Sequence, residues 1–212
     1  MRINRWFSSV FHRRTPTRPD RTATTPGPAG PTPTADTFTP SGSTRVSIGR
    51  ATGYSAAERA KLDRAMVKLG AVLSSREFRD AVLSHTYGGK PGFANDARAP
   101  AEIYAVIRAA KERYTDAADG EVDLNLSLRS LSWFQRGVVG YTSEDSDTIT
   151  TNRRFFSGFD EAEVAGHLGH EWLHTLGFEH DFKATARRPF SVPYAVGDLI
   201  ETLASRPTLT PL

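Results

Sequence analysis

The sequence predicts an α+β fold, and three observations predict it. Apolar residues recur at helical spacing from residue 55 to 85 and again from 100 to 115, then switch to strict alternation from 122 to 129. Helical spacing returns over residues 161 to 176, where four of the chain's six histidines cluster between Asp160 and Asp181. At 212 residues the chain has room for one domain with a tail, divided here as a disordered segment 1–43 and a folded domain 44–212.

Residues 44–49 (TRVSIG) alternate as a short strand does. Ser55 then caps a helix whose Leu62, Met66, Leu69 and Val72 form one apolar stripe, and a shorter helix follows in SREFRDAVLSH, with His85 near its end as a structural or solvated residue. Tyr87 to Pro100 is rich in Gly and Pro and reads as a loop. Pro100 suits the first turn of a third helix, APAEIYAVIRAAKERYT, in which Ile103, Val106, Ile107 and Tyr114 are expected to be buried.

After the turn at Asp119-Gly120, Val122, Leu124, Leu126 and Leu128 alternate with Asp123, Asn125, Ser127 and Arg129, the pattern of a strand with one wet face. GVVGYT (137–142) and DTITTN (147–152) are two further strands around a polar turn. Asn152-Arg153-Arg154 at the strand end reads as solvated or as a contact for substrate carboxylates or backbone. A last helix is expected over residues 197–205, ending before Pro207.

The helix at about 161–176 carries the chemistry. Asp160 can cap its first turn while Glu163 reaches back as the other half of a capping box, and Gly177 suits the left-handed residue just past its end. At about 100° per residue, His170, Glu163, His174, His167 and Glu171 share one side, and Val164, Leu168, Trp172, Leu173 and Leu176 fill the other. His170 and His174, one turn apart, can present two neutral imidazole nitrogens to one Zn²⁺, with Glu171 close enough to act on water at the metal. Gly177 turns the chain so that His180 can supply a third ligand; Glu201 on the last helix is the rival for that place. His167 lies one turn early, and reads as supporting a ligand or facing water rather than as a ligand itself.

The run His170-Glu171-Trp172-Leu173-His174-Thr175-Leu176-Gly177-Phe178-Glu179-His180 matches HExxHxxGxxH and resembles the zinc-binding signature of the metzincin metalloendopeptidases. The resemblance implies a zincin-like domain with a small mixed sheet, N-terminal helices and a C-terminal helix. It also implies Zn²⁺ as cofactor, a protein or peptide as substrate, GVVGYT as the edge strand that pairs with it, and Glu171 as general base. The chain departs from the pattern in having no methionine downstream of the third histidine, since its two are Met1 and Met66. Ser191-Val192-Pro193-Tyr194 resembles the turn that normally holds that methionine, and implies for Tyr194 either a contact to metal or oxyanion or a packing role under the site.

With no cysteine, the chain has no disulfide, no thiolate-ligated zinc, no thiol nucleophile and no cysteine switch. Net charge is +3, yet residues 1–22 hold six arginines and one acid. That end, with Arg2, Arg5, Trp6, Phe7, Phe11, Arg13 and Arg14, is a weak candidate for contact with a membrane surface or nucleic acid. No folded nucleic-acid motif and no apolar run of spanning length is present, and the interrupted stretch Trp6 to Phe11 makes a poor export signal, consistent with a cytoplasmic or non-classically exported protein. The rival to a peptidase is a non-catalytic, zinc-stabilised binding module in a larger assembly.

Overall fold

A computed structural model describes residues 43–87, 98–115, 117–135, 137–142 and 146–212. The expectations for the N-terminal segment before residue 43, for most of the Gly/Pro-rich loop and for the polar turn before Ser146 lie outside these residues. The fold is α+β: a mixed four-stranded sheet and, among the described residues, six α-helices.

β1 (Arg45–Thr52) runs parallel to β2 (Glu121–Arg129), and β2 parallel to β4 (Thr148–Asn152). β3 (Gly140–Thr142) runs antiparallel to β4, and the order β1-β2-β4-β3 leaves it at a sheet edge. As the alternation predicts, Val122, Leu124, Leu126 and Leu128 all point into the core.

Between β1 and β2 come α1 (Ala56–Leu73), α2 (Arg76–Ser84) and α3 (Pro100–Ala109). Ser55 and Glu58 form a capping box on α1, and Ser75 caps α2. His85 is half-buried with its ring edge-on to Tyr87 at 4.6 Å. α3 is shorter than its sequence suggests: Ala110 turns left-handed at φ 45° and Tyr114 is exposed rather than buried. The cause is tertiary. Glu112 must turn inward, where its Oε1 accepts from the Trp172 indole N–H at 2.7 Å and from the Asp123 N–H at 3.3 Å. Burial raises the Glu112 pKa, so those two donors offset part of the cost of a carboxylate in the core.

A short helix absent from the sequence reading, α4 (Arg153–Gly158), follows β4 directly. Asn152 caps it and donates to the Val138 carbonyl at 3.0 Å, while Arg153 pairs with Glu58 at 3.0 Å. These contacts give the Asn152-Arg153 end of β4 structural work in place of a solvated one.

α5 (Glu161–Thr175) is the centre of the molecule, started by the predicted box of Asp160 and Glu163. Every residue from Val164 to Thr175 is buried. The helix is covered on both sides: α1 packs on it, α6 (Val192–Ala204) lies along it, and β3 and β4 cross it. α6 comes close because Gly166 has no side chain; a Cβ there would sit 3.0 Å from the Gly197 carbonyl oxygen and 2.8 Å from the Glu201 Cβ. α6 also begins five residues earlier than the expected 197, since Pro193 is preset for a first helical turn. The Ser191–Tyr194 stretch is therefore the opening of a helix and not a free-standing tight turn, and the turn itself is a 3-10 segment at Arg188–Phe190.

Asp198, half-buried on α6, has its pKa pushed up to about 6 by burial and then by Glu201. A carboxyl raised on folding favours the native state only while protonated, so its contribution worsens as pH rises from about 4 through 6. Asp198→Asn is expected to raise stability by roughly 1–2 kcal/mol at pH 7.5, after discounting for partial exposure, and by nothing near pH 4. Urea titrations of both proteins at the two pH values check it; equal midpoints at pH 7.5 would refute it.

Candidate metal centre

His170 and His174 stand one turn apart near the end of α5, their rings edge-to-face at 5.2 Å. The helix stops where Gly177 takes φ 87°, with Gly177 N–H bonded to the His174 carbonyl at 3.1 Å and Phe178 N–H to the Leu173 carbonyl at 3.1 Å. This reversal does two things. It sets the Phe178 carbonyl 2.8 Å from His174 Nδ1, and it returns His180 to the helix with its Nε2 only 3.2 Å from His170 Nε2.

One nitrogen from each of the three rings falls within 4.8 Å of the others. Two ligands of a tetrahedral zinc, each about 2.05 Å from the ion, stand roughly 3.3 Å apart, so the His170–His180 spacing is that of a shared metal. The remaining nitrogens are turned to backbone carbonyls: His174 Nδ1 to Phe178, His180 Nδ1 to Asp181 at 3.0 Å, and the His170 ring to the Pro193 carbonyl. A carbonyl accepts and cannot donate, so each ring keeps its proton on that side and offers a lone pair on the other. Burial lowers the pKa of His170 well below its ordinary value, helped by the neighbouring histidines, and brings His180 down to about 4. His170 and His180 are therefore neutral at neutral pH, which is the ligand form. Donor type, spacing and tautomer all fit a divalent ion such as zinc.

The loop that carries His180 is clipped to itself. Asp181 accepts from Arg187 Nη2 at 2.6 Å and Nε at 2.7 Å and from the Thr185 hydroxyl, and these bonds hold its carboxyl down to about 2. Beneath the rings lies Tyr194, only 3% exposed, its ring edge-on to His170 at 4.7 Å and to His180 at 4.8 Å, with the Arg188 guanidinium 4.6 Å over its face.

Glu171 is fully buried between α5 and the sheet edge. Thr142 of β3 donates to its Oε2 at 3.2 Å, and His167 Nδ1 lies 4.0 Å from its Oε1. His167 is buried rather than solvated: its Nε2 is 3.0 Å from the Thr151 hydroxyl and its ring fills the space left by Gly140, where a Cβ would stand 2.5 Å from its Cε1. It touches the general-base candidate and not the metal ligands' shared centre. Glu201 is not among the clustered residues; its Cβ packs over Gly166, one turn before His170.

Compared with family models, with curated proteins and with solved structures, the chain finds no match. What is said of the site therefore rests on its own geometry. Thr142 and Glu112 are not legible in the sequence as functional residues, because each meets its partner across a long stretch of chain; Arg188, only six residues from Tyr194, carries no local pattern that marks it. The one available sign was Gly140, a glycine within a short strand, which marks close approach of another group.

Proposed function

We propose that the chain is a zinc-dependent endopeptidase of zincin-like, metzincin-like build. The observation that carries this reading is the convergence of His170 Nε2 and His180 Nε2 with His174, one helical turn from a carboxylate, Glu171, that a structural site has no use for. His170, His174 and His180 would hold Zn²⁺, which when bound supplies Lewis acidity toward water and the scissile carbonyl. Glu171 takes the proton from the attacking water and returns it to the leaving amine. Thr142 fixes the carboxyl by its hydrogen bond, and β3, at the sheet edge beside Glu171, is placed to pair with an extended peptide.

One observation favours the second reading, a non-catalytic zinc-stabilised binding module: Glu171 is wholly enclosed, so water and substrate have to reach a carboxyl with no exposed surface. Metal analysis of the purified protein with a casein-cleavage assay separates the two. The expected result is about one zinc per chain and cleavage that stops with a chelator and returns with added zinc. Zinc without cleavage would establish the binding module, and absence of metal would remove both readings.

A further inference from the structure

The connection between β2 and β3 ends in two adjacent rings. Trp133 is 67% and Phe134 79% exposed, and they stack on each other with centroids 4.1 Å apart. This is a built feature. The rings sit on a single 3-10 turn closed by Gln135 N–H to the Ser132 carbonyl at 2.9 Å, continued by Val138 N–H to the Gln135 carbonyl at 2.9 Å. Its base is riveted to the sheet, because Val138 and Val139 are buried and Asn152 bonds both their carbonyls, at 3.0 and 2.8 Å. A rigid stem thus holds out two large apolar groups that the fold leaves uncovered.

The two chain segments that meet at this end of the sheet carry arginines and no acid of their own. No acid occurs in the sequence between Asp123 and Glu144, nor between Asp147 and Asp160, while Arg129, Arg136, Arg153 and Arg154 fall in those intervals. Register places Arg129 beside Asn152, the cap of α4, so exposed Arg129 and exposed Arg154 stand at the same end of the sheet as the stem. Arg153 is spent on Glu58.

We propose that this tip is a docking site for an anionic lipid surface. The charge complementarity selects the partner: arginines attract acidic headgroups, Trp settles at the headgroup level, and Phe inserts just below it. Two exposed rings set side by side on one 3-10 turn suit insertion into a fluid headgroup layer. The tip is distant in sequence from the arginine-rich segment 1–22, which has a Trp6-Phe7 pair of its own.

The test is co-sedimentation of the full chain with vesicles of phosphatidylcholine alone or mixed equally with phosphatidylglycerol. Binding to the mixed vesicles is expected, weakened by salt, and Trp133→Ala/Phe134→Ala is expected to lower apparent affinity roughly tenfold or more while Trp6→Ala/Phe7→Ala leaves the tip's share in place. Both Trp133 and Phe134 are exposed, so the double variant keeps its fold, checked by circular dichroism. A second readout is quenching by brominated lipid in Trp6→Phe protein, where buried Trp172 is out of reach and the signal comes from Trp133. Failure of the wild-type chain to bind acidic vesicles, unchanged binding by the Trp133/Phe134 variant, or absence of quenching would each overturn the proposal. So would a tip that affects cleavage of a protein substrate but not vesicle binding. None of these results depends on whether the chain is a peptidase.

Discussion

His174→Ala protein is expected to purify without zinc and without proteolytic activity, whereas Glu171→Ala is expected to keep its zinc and lose cleavage by about 10²–10⁴-fold. The two outcomes differ because the residues do different work. His174 contributes one of three nitrogens held toward a common centre, and two imidazoles hold zinc poorly. Glu171 is outside that cluster, bonded to Thr142 instead, so its loss leaves the donors and their carbonyl partners in place. Metal content and casein cleavage measured on the same preparations decide the matter. Zinc-loaded Glu171→Ala protein that cleaves like wild type would sink the mechanism. His180→Ala should behave as His174→Ala does; if Glu201→Ala depletes zinc and His180→Ala does not, the third ligand has been misassigned.

Trp172→Ala is expected to give the largest loss of stability of any single change on α5. The side chain is completely buried and is the largest in the core, and truncation of such a ring costs about 3–5 kcal/mol. It also removes the side-chain donor that Glu112 relies on, leaving a buried carboxylate with backbone N–H donors alone. Against a total stability of about 5–15 kcal/mol for an ordinary domain, that takes much of the margin. Trp172→Phe separates the two contributions, since it keeps most of the apolar volume and loses the indole N–H; about 1–3 kcal/mol is expected. Urea midpoints measure both. A Trp172→Phe protein as stable as wild type would show that the Glu112 contact contributes nothing, and a mild Trp172→Ala would mean that the core closes over the gap.

These two cases also show what the sequence reveals and what it conceals. α5 is legible because its signals are local: Asp160 with Glu163 at the start, Gly177 at the end, and histidines spaced by one turn. β2 is legible because four leucines and valines alternate with polar residues, and α1 because its stripe and cap agree. The end of α3 is not, since Ala109 to Arg113 has good helical propensity and is turned by an indole sixty positions away. The start of α6 differs from the expected 197 because Pro193, which reads as part of the lead-in segment, is preset for the first helical turn. The hydrogen bond from Thr142 to Glu171 joins an edge strand to a helix, and no periodicity encodes it. The three clustered histidines can be named from spacing; the group that holds the Glu171 carboxyl cannot.

The close crossing of α5 and α6 at Gly166 has a consequence for how the three histidines are readied. His170 and His174 belong to a helix locked against its neighbours, and the Pro193 carbonyl that orients His170 sits on the opening turn of α6. The ordering entropy of those two rings is spent when the chain folds. His180 stands on a loop tied by the Asp181 and Arg187 pair, so its place beside His170 is set by that clip and not by helix packing. The three rings are thus held by two unequal devices, a packed helix for His170 and His174 and the Asp181–Arg187 clip for His180.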